Sequence, residues 1–188
     1  MRIAKTTEQA PIYQLKITLR ESKPPIWRRI QVPGDVLLSK LHRILQMTMG
    51  WTDSHLHQFT IGGQDYSDPD SELEDTANEK KFKLNTVINT EKAKFHYLYD
   101  FGDDWEHEIL VEKILPPAPG VHYPVCIKGA RACPFEDSGG MWGYMNLLNI
   151  LGDPTHEEHE EMLEWTGGPI DPEEFDMEQL NADLRRLR

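Results

Sequence analysis

The chain has 188 residues, 38% hydrophobic and 28% charged, and a formal net charge of -12. That composition excludes a disordered or fibrous protein and suits a single domain, since a chain of this length buries roughly 70% of its unfolded surface without disulfide staples. The negative balance repels duplex nucleic acid at long range, and no apolar run approaches the ~18 residues a membrane helix needs.

Residues 1–10 carry no pattern and read as a loose tail, leaving 11–188 as one domain with a β-rich part (11–130) and a helical part (138–188). IYQLKITL alternates, with Tyr13, Leu15, Ile17 and Leu19 on one face of a strand. Pro24-Pro25 cannot lie inside a paired ladder, so IWRRIQV is a second strand and a hairpin opens the fold. Leu38, Leu41, Ile44, Leu45 and Met49 recur at helical spacing before Gly50, which predicts a helix over 36–49. HLHQFTI reads as a third strand and GGQDYS as a turn into a short fourth. FKLNTVI suits a single helical turn in an otherwise irregular stretch over 68–94.

KFHYLYDFGDDWEHEILVEKIL is a long hairpin bent at Gly102. With the turn centred on Gly102-Asp103, Asp100 pairs with Trp105 and Leu98 with His107. His96, Leu98, Asp100, Trp105, His107 and Ile109 then share one face, with Phe95, Tyr97, Tyr99, Glu106 and Glu108 on the other. YPVCIKG adds a strand, GGMWGYMNLLNIL forms a helix ending at Gly152, and Asp153-Pro154 starts another. Asp176 caps the last helix, with Gln179 as its reciprocal partner and Phe175 stapled to Leu180. The order is α+β: a β-grasp-like mixed sheet with one packed helix, and C-terminal helices covering a flank.

Four places carry candidate chemistry. The DFGDDWEH turn sets Asp100, Asp103, Trp105 and His107 close together; like charges ~4 Å apart cost about 1 kcal/mol in water and several times more when partly buried, so the acids face water or surround something positive. In HLHQF, His55 and His57 share a strand face, and an H-x-H pair chelates a metal when a carboxylate or third histidine joins it. Asp53 caps that turn or contributes. In CPFEDSGGMWGY, Ser138 can cap a helix, with Glu136 and Asp137 forming either a cap surround or an acidic rim. Arg28 lies among Ile26, Ile30 and Val32, where it needs an acidic partner or an anionic ligand unless strand twist exposes it. Cys126 and Cys133 lack a second thiol pair and read as free thiols.

IWRRIQVP, LHRILQMTMGW, HLHQF, YLYDFGDDWEHEI, CPFEDSGGMWGY and FDMEQLNADL together resemble the plasmid pRiA4b ORF-3-like family, from about residue 12 to 185. The resemblance implies a compact, β-grasp-like α+β domain with no established activity. Some relatives carry a resolvase-type passenger label from insertion elements, but a serine resolvase needs a nucleophilic Ser among arginines and a helix-turn-helix, and neither is present. Phe135 stands where the family more usually has a second proline after Cys-Pro.

The expectation is therefore a cytoplasmic binding or interaction module. Arg28, His55 and His107 are its donors, Asp100, Asp103, Glu136 and Asp137 its acceptors, and Trp105 a wall, for a small-molecule or peptide ligand or a cation. The alternative is a metal-assisted hydrolase holding a divalent ion through His55, His57, Asp103 and His107. Nucleic-acid handling within a mobile element ranks last.

Overall fold

The computed structural model describes residues 9–187. The expected loose tail at 1–10 falls almost wholly outside them. Thirteen elements follow in order: β1 Ile12–Leu19, β2 Trp27–Pro33, α1 Leu38–Met49, β3 His57–Ile61, β4 Gln64–Ser67, β5 Ala77–Asn78, α2 Leu84–Val87, β6 Lys94–Tyr99, β7 Trp105–Leu115, β8 Val125–Ala130, α3 Gly140–Gly152, α4 His159–Thr166 and α5 Met177–Leu184. Short 3-10 turns at Pro69–Ser71 and Glu79–Lys81 flank β5. The fold is α+β.

The strands form one mixed sheet in the order β5-β4-β3-β6-β7-β1-β2-β8, antiparallel throughout except for β4 with β5. One face is apolar. Tyr13, Leu15, Ile17 and Leu19 of β1 meet Ile30 and Val32 of β2, Ile109 and Val111 of β7, and Phe59 of β3 in a single buried cluster. α1 lies over that face through Leu38, Leu41, Ile44, Leu45 and Met49, and ends at Gly50 in the left-handed conformation (φ 80°).

The opposite face is wet, and cross-strand charge pairs line it. Arg29 grips Glu112 with Nε and Nη2 (2.5 and 2.6 Å), Gln14 donates to the same carboxylate, and Lys94 meets Glu108 at 3.0 Å. This division, hydrophobic in and polar out, is what an antiparallel sheet covered on one side requires.

The β6–β7 hairpin differs from its expected register by one residue. Tyr99 pairs with Trp105, Tyr97 with His107, and Phe95 with Ile109. The loop spans five residues, closed by Asp104 N donating to Asp100 O (2.7 Å), with Asp100 and Asp104 both at positive φ (57° and 58°). A slip of one residue reverses every side chain. The observed register places all three β6 aromatics beside Trp105, His107 and Ile109 in the core. Glu106 and Glu108 oppose Leu98 and His96, not the tyrosines.

The helical part shows three further differences. The N-cap of α3 is Gly139 (φ 82°); the Ser138 hydroxyl donates instead to Phe135 O (2.8 Å). α4 begins at His159, not at Asp153-Pro154, because the Asp153 carboxylate accepts from both the amide and hydroxyl of Thr155 and folds that stretch into a turn. Asp176 does cap α5 through Gln179 N (2.8 Å), but the Gln179 side chain reaches forward to Asp183 and leaves the capping box half made. α5 guards the sheet edge: the Asn181 amide accepts from Cys126 N (2.7 Å) and donates to Cys126 O (2.8 Å), so β8 has a side-chain partner where a ninth strand would lie.

Candidate functional site

Gly50 turns the chain out of α1 into the segment 51–57, which crosses the ends of β6 and β7. Trp51 is buried, stacks on Tyr99 (centroids 5.0 Å apart) and donates Nε1 to Pro134 O (2.9 Å). Thr52 gives its amide and hydroxyl to Glu136 Oε2 (2.9 and 2.6 Å). The Tyr99 hydroxyl donates to Glu136 Oε1 and accepts from Ser54 N (2.9 Å). Burial, then the neighbouring Glu136 carboxylate, raises the Tyr99 pKa, so the hydroxyl keeps its proton. Burial works against the Glu136 carboxylate, but the donors Thr52 and Tyr99 outweigh it and hold its pKa below the usual glutamate value.

These bonds bring three distant segments together. His55 Nε2 lies 3.1 Å from Asp137 Oδ1 and 3.6 Å from Asp100 Oδ2. Asp103 Oδ2 accepts from Gly139 N (3.1 Å), tying the 100–104 turn to the 136–140 loop. His55, Asp100, Asp103, Glu136 and Asp137 therefore gather at one end of the sheet.

Three other expected site residues sit elsewhere. Arg28 is buried on β2 beside β8, with no ion-pair partner among the described residues. Its guanidinium donates to the carbonyls of Trp27, Ala130 and Arg131 (2.8–2.9 Å) and lies 3.9 Å from the Phe175 ring. Carbonyl oxygens and an aromatic face take the place of the expected acid or ligand at Nη1 and Nη2, while the buried Nε has no partner among the described residues. Trp105 is 1% exposed and packs near Trp51 in the core. His107 is fully buried and bonded through Nδ1 to Tyr97 O (3.2 Å); burial pushes its pKa down to about 4. His55, His57, Asp103 and His107 thus have separate partners and no common centre.

His57 belongs to a second cluster. Its ring stacks on that of His42 from α1, with centroids 3.4 Å apart and planes 4° from parallel. Each imidazole has its own carboxylate: His57 Nε2 meets Glu79 Oε2 at 2.8 Å, and His42 Nε2 meets Asp53 Oδ1 at 2.7 Å. A closed ring of hydrogen bonds sets the His42 tautomer. Asp53 N donates to Gln46 Oε1 (3.0 Å), and Gln46 Nε2 donates to the Tyr97 oxygen (2.9 Å). Burial raises the Tyr97 pKa well above its ordinary value, so its hydroxyl donates to His42 Nδ1 (2.8 Å) and Nε2 carries the hydrogen toward Asp53. Burial, then the charge on His57, lowers the His42 pKa.

Both imidazoles and the buried Glu79 open onto a cleft of about 610 Å³ between α1 and the 68–80 segment. Leu37, Ser39, Lys40 and Arg43 of the α1 side, Asp53, His55, Leu56, Ser71, and Lys80 held by Asp68 and Asp70 complete its wall. Sequence reasoning missed His42 and Glu79. His42 stands four residues after Leu38 and three before Leu45, on the apolar stripe, and that position was the available signal. Glu79 lies in an aperiodic stretch that offered none.

A family model described as plasmid pRiA4b ORF-3-like protein matches residues 11–179. Uncharacterized protein y4hQ of Sinorhizobium fredii (strain NBRC 101917 / NGR234) is 41% identical over 181 residues, covering 95% of this chain and 93% of that protein. The crystal structure of MM3350, a protein of unknown function from Methanosarcina mazei Go1, superposes with a TM-score of 0.83 at 41% identity, covering 90% of this chain and 97% of that one. With sequence and fold agreeing over nearly its whole length, the chain belongs to the plasmid pRiA4b ORF-3-like protein family.

Proposed function

We propose that the protein is a binding domain whose cleft holds a small molecule with an apolar body and both a positive and a negative group, such as an amino acid or the end of a peptide. The observation that carries this reading is the floor of the cleft, where His42 and His57 are fixed by carboxylates before any ligand arrives. A pre-ordered polar floor lowers the entropy cost of binding. The walls supply the rest of the chemistry. Lys40 and Arg43 have no acid partner among the described residues, and Asp53 keeps half its side chain in solvent. Leu37 and Leu56 present exposed apolar surface. A carboxylate would meet the two cations, an ammonium would meet Asp53, and an aliphatic body would cover the leucines. We place this activity in the cytoplasm, where Cys126 and Cys133 stay as thiols; no helix among the described residues is long and apolar enough to cross a membrane.

Titration of isotope-labelled protein with leucine, 4-methylpentanoate and isopentylamine tests the reading, because the three share one apolar body. Leucine perturbs the amides of residues 40–43 and 53–57 most, and Arg43→Gln and Asp53→Asn each weaken it. Perturbation centred on another surface, or equal responses to all three probes, contradicts it.

A further inference from the structure

We infer that His55, Asp100 and Asp137 form a binding site for a divalent first-row metal cation, separate from the cleft floor. One ligand atom from each residue lies within 4.8 Å of the other two. The distances from His55 Nε2 to the two carboxylates, 3.1 and 3.6 Å, are close to the ~3.0–3.5 Å that separates neighbouring ligands when each stands about 2.0–2.2 Å from a shared ion.

A protonated histidine bridging two acids is the plain alternative, and the geometry disfavours it. His55 Nε2 is sealed from solvent yet makes no aligned hydrogen bond, so its in-plane direction misses both carboxylates at contact distance. A nitrogen directed at an ion flanked by two oxygens has this arrangement. An unpartnered buried nitrogen otherwise costs about 1–3 kcal/mol, and two carboxylates this close repel.

The surroundings hold the three groups in place as metal ligands are usually held. Asp100 Oδ1 accepts from Gly102 N (2.9 Å), which orients Oδ2 toward His55. Both Glu136 oxygens are engaged by Thr52 and Tyr99, so Glu136 anchors the loop beside Asp137 and leaves coordination to its neighbour. Asp137 is 71% exposed, which leaves further coordination positions open to solvent. One imidazole with two carboxylates suits zinc, manganese or ferrous iron better than soft cations.

The His42–Asp53–His57 group, though as closely spaced, is a weaker candidate. Three of its four ring nitrogens already have partners, and two rings 4° from parallel hold their lone pairs in separate, nearly parallel planes.

The test uses untagged protein stripped with chelator, then titrated calorimetrically with Zn²⁺ and Mn²⁺, with Co²⁺ absorption as a ligand-field readout. One equivalent binds, and His55→Gln, Asp100→Asn and Asp137→Asn each weaken it about tenfold or more, while His57→Gln does not. The exposure of Asp137 makes its variant safe for folding, and circular dichroism checks the others. Binding that survives Asp137→Asn and His55→Gln, binding lost through His57→Gln, or no stoichiometric binding of either ion overturns the inference. His55 also lines the cleft, but Asp100 and Asp137 do not, so leucine titration of Asp100→Asn and Asp137→Asn reads the cleft apart from the metal, and either site can fail alone.

Discussion

His42 and His57 lie face to face, 3.4 Å between ring centroids, one delivered by a helix and the other by a strand. Two positive charges at that separation repel by about 5 kcal/mol even at an effective dielectric of about 20. A charge on the His57 ring therefore disfavours a charge on His42. His57→Asn removes the charge that, after burial, holds the His42 pKa down, so His42 becomes easier to protonate. Imidazole titration by NMR in the variant reads the upward shift; an unchanged His42 pKa contradicts the coupling.

Acid weakens the fold through His107. Its folded pKa, about 4, lies below the ordinary histidine value of 6.5, because burial penalises the charged ring. Between those two values the unfolded chain binds more protons than the folded one. Stability is complete above about pH 6.5 and falls as pH drops toward 4, by ~3 kcal/mol when fully expressed. Denaturant unfolding at intervals across this window measures the slope, and His107→Leu flattens it.

Arg28→Lys destabilises the protein although charge is conserved. A lysine supplies one ammonium where the guanidinium serves three carbonyls and lies 3.9 Å from Phe175. Losing the planar fork and leaving carbonyls unsatisfied costs about 2–4 kcal/mol. The denaturant midpoint reports it, with binding in the cleft unaffected in the folded fraction.

Gly140→Ala loosens the join between the 100–104 turn and α3. Gly140 has φ 69°, and an added Cβ would stand 2.5 Å from the Asp103 carbonyl oxygen. Positive φ alone costs about 1–2 kcal/mol, and the close approach adds to it. The Gly139 amide, bonded to Asp103 Oδ2, then exchanges hydrogen faster while the amides of β1 keep their protection.

Where the residues themselves repeat at a fixed period, structure was legible. Leu38, Leu41, Leu45 and Met49 before Gly50 set α1 within two residues, and the alternation from Tyr13 to Leu19 set the buried face of β1. The hairpin register was not legible, because DFGDD suits loops of four or five residues and the choice rests on Asp100 and Asp104 both adopting positive φ. The gathering of His55, Asp100, Asp103, Glu136 and Asp137 was approachable from motifs rich in chemistry. Trp105 and His107 joined that expected group because the assumed register set them on one face with Asp100, whereas the observed one sets them beside Tyr99 and Tyr97. Arg28 shows a different limit: a buried cation announces that it needs partners, but backbone carbonyls leave no mark in a sequence.

A pre-ordered cleft floor can be read from long-range ¹H–¹⁵N correlation of the imidazole nitrogens at neutral pH, with and without leucine. His42 should appear as a neutral ring with its hydrogen on Nε2, and its signals and those of His57 should move on adding leucine. A His42 that titrates like an exposed histidine, with neither ring responding to the amino acid, would mean that the floor is neither pre-ordered nor a binding surface.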